Sequence, residues 1–184
     1  MSLAPFVPSP PHVVSEMLQL AELKKGETLF DLGCGDGRII LEAAQKFGAN
    51  AVGVELDEGR YLTCVKKVEE AHLEGTVEVI HGNLLDIDLK NADVVTLYLL
   101  TSSNEKIKPN LERQLRKGAR VVSHDFQIKG WKETKIKSIV TEINEVLGQN
   151  TLYNYVSAAL EQDYSPLGLD LPNHDSHTLY LYRM

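Results

Sequence analysis

Cysteine is scarce in this 184-residue chain, which holds only Cys34 and Cys64. Two such residues make neither a disulfide framework nor a metal-ligand cluster. Long apolar runs are missing too, so no segment reads as a bilayer span. The opening MSLAPFVPSPPHVV carries no basic region and no extended apolar stretch, and no secretory leader is expected. Together these absences point to a reducing cytoplasm. Positive charge is also short. Lys and Arg number 19 against 26 Asp and Glu, a formal net charge of −7. Nucleic-acid grooves usually show as a basic stripe, so no nucleic-acid partner is expected. A basic protein suits an acidic surface better. No internal repeat or low-complexity tract appears.

What is present is the composition of one ordinary globular domain, 43% hydrophobic and 24% charged. Its segments alternate between strand and helix. An N-terminal arm and helix occupy 1–25, with Val13, Val14, Met17, Leu18 and Ala21 on one face. Ser9 is placed to cap that helix, with Pro10 in the first turn. The core, 26–146, begins with a buried strand over Thr28 to Leu32. A helix follows with Ile39, Ile40, Ala43, Ala44 and Phe47 inward and Gly48 as its stop. Strands are predicted over 51–54, 76–80 and 93–97, and in GARVVSHDF, KIKSIV and HTLYLYRM. Helices are predicted over 60–72, with Leu62, Val65 and Val68 inward, and over 104–115. The last strand is 177–184. This alternation predicts an α/β fold, a Rossmann-like doubly wound seven-stranded sheet, mostly parallel with an antiparallel last strand. Ligands of such sheets bind where strands stop.

The stretch DLGCGDGR, 31–38, stands at the first such stop. A dinucleotide fingerprint places its third glycine three residues after its second. Here Gly33, Gly35 and Gly37 alternate strictly, and no Lys-Ser or Lys-Thr follows. That spacing looks like motif I of the class I S-adenosylmethionine-dependent methyltransferases. Residues without Cβ let the backbone approach the amino-acid end of that cofactor, and Asp31 and Asp36 are placed near its ammonium group. Glu55 ends the second strand, with Leu56 beside it, where a carboxylate can accept both ribose hydroxyls. Asn83 and Leu84 follow the third strand, facing the adenine edge and its plane.

The chain also resembles a narrower family. PFVPSPPHVVSEML, ADVVTLYLLTSSNEKIKPNLERQL, GARVVSHDFQIKGW and HTLYLYRM are similar to the small archaeal protein-lysine methyltransferases of broad specificity. They are also similar to the mitochondrial relatives that act on the adenine nucleotide translocase and on the c subunit of ATP synthase. The resemblance implies methyl transfer from S-adenosylmethionine to lysine ε-amines, with S-adenosylhomocysteine as product. It also implies that Phe6, Val7 and Ser9 fold over the cofactor and that Cys34 lies inside the binding loop. The sulfonium already makes the methyl labile. The lysine must arrive neutral, and a desolvated channel favours that form.

Three further residues carry two readings each. Tyr98 either lines a lysine channel with its hydroxyl toward the amine or is a buried strand-end aromatic. His124 and Asp125 either help deprotonate the lysine or hold a structural hydrogen bond. Thr101, Ser102 and Ser103 either shape that channel or, the reading the residue types favour, cap the helix after them. Where compact family members have little, residues 147–176 form an insertion. Leu152, Val156, Ala159 and Leu160 suggest a helix there, and the segment suits an entrance cover or a dimer contact. No metal is expected. A small-molecule methyltransferase and a non-catalytic cofactor-binding protein are the competing functions.

Overall fold

The computed structural model describes residues 7–140 and 176–184. Phe6 and the helix expected over 152–160 lie outside them. The elements are α1 (Pro11–Leu20), β1 (Thr28–Leu32), α2 (Arg38–Phe47), β2 (Asn50–Glu55), α3 (Glu58–Glu70), β3 (Val77–His81), β4 (Val94–Leu97), α4 (Thr101–Gln114), β5 (Arg120–His124), β6 (Lys135–Val140) and β7 (Ser176–Arg183). The strands form one seven-stranded sheet in the order β3-β2-β1-β4-β5-β7-β6. Pairs among β1 to β5 are parallel, and β7 runs antiparallel to both β5 and β6. This is the expected Rossmann-like architecture.

Strand alternation divides the core in two. Leu29, Val94, Val122 and Leu179 face α1, α2 and α3, while Phe30, Val95, Val121 and Tyr182 face α4. Buried strands need apolar residues on both faces, and β4 and β5 are buried throughout. The face holding α1 also receives Asp31 and Thr96, which are cross-strand neighbours in register. Among the described residues no helix is long and apolar enough to cross a membrane.

Three local expectations are corrected. Ser9 does not cap α1: the N-cap position belongs to Pro10 and has no side-chain cap. Two successive prolines push the helix start one residue further along and free the serine hydroxyl. Likewise α4 begins at Thr101 with Leu100 at its N-cap, so none of the three hydroxyl residues caps it. In α3 the inward residues are Cys64 and Val68, while Leu62 is 56% exposed. Cys64 packs against Gly37 and sets the buried face of α3, and Leu62, two residues back along the helix, falls on the opposite side.

Candidate functional site

The glycine loop leaves the sheet at Leu32, and both Gly33 N and Cys34 N donate to Val54 O at 2.9 Å. Gly33, Gly35 and Gly37 have φ of 93°, 56° and 83°. Every second residue therefore takes the left-handed conformation, which explains the strict alternation in the sequence. Gly37 carries a second constraint. A Cβ there would lie 2.4 Å from Cys64 Sγ. Its missing side chain makes room for α3 rather than for a ligand. Cys34 packs in the same way, its Sγ under Gly53. A hydrogen bond with Cys64, and then burial, pushes the Cys34 thiol up, so it stays protonated and unreactive.

Beside the loop lies an open cleft, lined by the glycine loop, the ends of β2 and β4 and the N-terminal arm. Asp31 lines it and is nearly fully buried. Its hydrogen bond comes from Thr96 Oγ1 at 2.8 Å. Burial pushes the carboxyl up to about 7, against the lowering effect of Thr96. A buried carboxylate with no cation beside it among the described residues is suited to a cationic ligand. Asp36 also lines the cleft but is already matched. Arg38 grips it with Nε and Nη2, both at 2.9 Å, and Lys67 Nζ reaches it at 2.9 Å. Burial raises this carboxyl, but the two cations outweigh it and hold it at about 2. Asp36 therefore braces the loop against α3.

Glu55 is buried at the end of β2 and lines the cleft. Gly35 N donates to its Oε2 at 2.9 Å, while Asp57 N and Arg60 Nη2 reach Oε1 at 2.8 and 3.1 Å. Three of about four lone-pair positions are used. A ribose hydroxyl can take the remaining one, but a ligand donating two bonds must share with Arg60 or Asp57. Asn83 lines the cleft and accepts from Leu85 N at 3.1 Å through Oδ1, which leaves its amide N–H groups for a base edge. Leu56, Leu84, Cys34 and Gly33 also line it, as do Val7 and Ser9 from the N-terminal arm. Gly35 and Gly37 shape the loop without lining the cleft.

The arm is pinned by two bonds. Arg38 Nη1 donates to Ser9 O at 2.6 Å, and Ser9 Oγ meets His124 Nδ1 at 3.0 Å. Arg38, Arg60 and Leu99 line the cleft and escaped the sequence reading. Arg38 directly follows the last loop glycine, a position from which a side chain can turn back on the loop, and that was its available signal.

Tyr98 lines the cleft, stacked on His124 with ring centroids 3.8 Å apart. Its hydroxyl donates to Asp125 Oδ2 at 3.2 Å. Burial drops His124 to about 3, against the raising effect of Asp125, so the ring is neutral at pH 7. Burial raises Asp125, but hydrogen bonding from His177 and the Thr178 amide and the neighbouring His124 outweigh it and keep it below its usual value. His177 was missed. It enters from β7, far along the chain, and no local spacing announces it.

A family model described as the ANTKMT methyltransferase domain matches residues 31–135. A protein-lysine N-methyltransferase of Saccharolobus islandicus (strain REY15A) is 40% identical over 153 residues, covering 83% of this chain and 92% of that protein. The adenine nucleotide translocase lysine N-methyltransferase of Mus musculus is 29% identical over 72% of this chain, which spans only 57% of that relative. Among solved structures, an RNA methyltransferase from Salinibacter ruber in complex with S-adenosyl-L-homocysteine superimposes with a TM-score of 0.74 at 34% identity, over 96% of this chain and 93% of that one. A SAM-dependent methyltransferase from Thiobacillus denitrificans shares the fold, with a TM-score of 0.68 at 15% identity over 97% and 93% of the two chains. A left-handed glycine loop, a buried acid and a strand-end glutamate thus lie in a chain that belongs to the ANTKMT methyltransferase-domain family, the S-adenosylmethionine-dependent methyltransferases.

Proposed function

We propose that the chain methylates lysine side chains of proteins, in the cytoplasm. The observation that carries this reading is the archaeal protein-lysine methyltransferase, 40% identical and matched over 92% of its length. The site fits the cofactor. Asp31 is a buried carboxylate suited to its ammonium group, Glu55 keeps a lone-pair position for ribose, and Asn83 offers amide donors for adenine. When bound, S-adenosylmethionine supplies a methyl already activated by a sulfonium.

The chain's own residues handle the acceptor. Asp125 takes the hydroxyl proton of Tyr98 in a hydrogen bond, so the phenol oxygen presents lone pairs to its other side. Such an oxygen accepts an N–H of the incoming amine and directs the nitrogen lone pair elsewhere. His124 stacks beneath the phenol ring and fixes its plane. Neither His124 nor Asp125 is proposed as a strong base, because an amine that enters neutral needs none. Val7 and Ser9 close over the cofactor side, with the arm tied down by Arg38.

If the phenol oxygen orients the amine, Tyr98→Phe lowers turnover by about tenfold while S-adenosylhomocysteine affinity holds, as calorimetry and steady-state rates together show. An unchanged turnover would leave Tyr98 as packing. The rate is expected to climb between pH 7 and about pH 9–10 as the neutral amine fraction grows. A flat profile over that range would place the slow step elsewhere.

RNA is the second reading, favoured by the Salinibacter ruber structure at 34% identity. The net charge of −7 weighs against it. The deciding experiment incubates the enzyme with labelled cofactor and either a protein extract or total RNA. Label on lysines in the protein arm is the expected outcome. Label confined to RNA, or to metabolites, would overturn the assignment.

A further inference from the structure

Behind Tyr98, away from the cofactor cleft, three donor atoms converge. His124 Nε2 lies 2.9 Å from His177 Nδ1 and 3.2 Å from Asp125 Oδ2. His177 Nδ1 and Asp125 Oδ2 are 3.5 Å apart. One proton can bridge two of these atoms but not all three. A single proton leaves another pair of lone pairs face to face, and a proton on each nitrogen sets two N–H groups against each other at 2.9 Å.

The triangle matches something other than a proton. Around a tetrahedral ion with bonds of about 2.0–2.1 Å, neighbouring ligand atoms sit roughly 3.3–3.4 Å apart. We propose that His124, Asp125 and His177 form a binding site for one divalent transition-metal ion of the zinc class, with the fourth position open. Two imidazole nitrogens and one carboxylate oxygen suit zinc or cobalt better than magnesium or calcium, which prefer oxygen.

The surroundings orient each ligand. Ser9 Oγ engages Nδ1 of His124 at 3.0 Å, which leaves Nε2 for the ion. Thr178 N donates to Asp125 Oδ1 at 2.8 Å and turns Oδ2 into the site. Asp125 itself is held at φ 59°, a left-handed conformation uncommon outside glycine, between β5 and the backbone of β7. His177 Nε2 is buried with no hydrogen-bond partner among the described residues. The ion ties the end of β5 to the start of β7 and holds the carboxylate on which Tyr98 rests. It is a positioning device behind the acceptor side, outside the methyl-transfer chemistry.

The test uses chelator-treated, folded protein titrated with Zn2+ in a calorimeter, and with Co2+ followed by visible absorption. The expected result is one ion per chain and the intense cobalt bands of a four-coordinate nitrogen and oxygen site. His177→Ala and Asp125→Asn are each expected to weaken Zn2+ binding by at least tenfold, while His72→Ala, on the exposed surface, leaves it unchanged. If either site variant fails to fold, the cobalt spectrum of the unaltered protein still decides. Absence of stoichiometric binding, or a weak six-coordinate cobalt spectrum, would overturn the proposal. So would Zn2+ binding that survives His177→Ala. All readouts are independent of methyl transfer, so failure here leaves the lysine assignment standing.

Discussion

Asp31→Asn is expected to stabilise the cofactor-free protein while crippling cofactor binding. The carboxyl is buried on the α1 face of the sheet, with Thr96 as its hydrogen-bond donor, and burial lifts it to about 7. Raising an aspartate from its ordinary value to that level corresponds to roughly 4 kcal/mol against the ionised form, to order of magnitude. The sign follows from linkage. A group whose folded pKa is raised contributes stability that is full below its unfolded pKa, near 4, and is lost as pH rises through 7. At pH 8 the cofactor-free protein therefore carries the whole penalty. Asparagine keeps an acceptor for Thr96 and removes the charge. Urea unfolding at pH 8 is expected to show the variant more stable by about 2–4 kcal/mol, with the difference vanishing near pH 4. Losing a charge-assisted bond to the cofactor's ammonium is expected to weaken S-adenosylhomocysteine binding by about 1.5–3 kcal/mol. In the unaltered enzyme that binding tightens as pH rises through 7. Equal stability of the two proteins at pH 8, with equal affinity, would refute this account of Asp31.

Gly37→Ala is expected to cost the fold more than Gly33→Ala, although both glycines are left-handed. At Gly33 a Cβ would meet Leu99 Cδ2 at 3.4 Å, an ordinary contact, so only the backbone penalty of about 1–2 kcal/mol applies. At Gly37 the same penalty is joined by a Cβ 2.4 Å from Cys64 Sγ, in a packed core that yields at roughly 1–3 kcal/mol more. Adding Cys64→Ala to Gly37→Ala removes the obstacle. The double-mutant cycle is therefore expected to show favourable coupling of about 1–3 kcal/mol. Additive losses would mean that α3 simply moves aside.

Local pattern made much of this fold legible. β1 and β6 begin and end where apolar runs and turn residues place them, Thr28–Leu32 and Lys135–Val140. The cleft was legible because it gathers strand ends, and strand ends follow from periodicity. Asp31, Glu55, Asn83 and Tyr98 all line it. What escaped depended on distance or on exact phase. The rotation of α3 is set by Cys64, which packs against Gly37 in the glycine loop, a contact that no local spacing announces. Ser9 sits where caps sit, yet its partner is His124, 115 residues away in sequence. His177 joins His124 and Asp125 only because β7 inserts beside β5. The spacing of the glycines was read correctly as a sign of the ligand, but its physical cause at Gly37 is the neighbouring helix.

The position of β7 also shapes how the chain is made. In the sheet β6 neighbours β7 alone among the described strands, yet β7 comes later in the sequence, beyond residues 141–175. During synthesis the parallel set β1 to β5 can assemble as it emerges from the ribosome. β6 emerges next and has nowhere to dock, because its place is separated from β5 by a strand not yet translated. Over that interval two sheet edges, on β5 and on β6, offer unpaired backbone groups to any passing extended chain. Closure of the sheet therefore requires a threading event, in which β7 enters between two waiting partners and closes both edges at once.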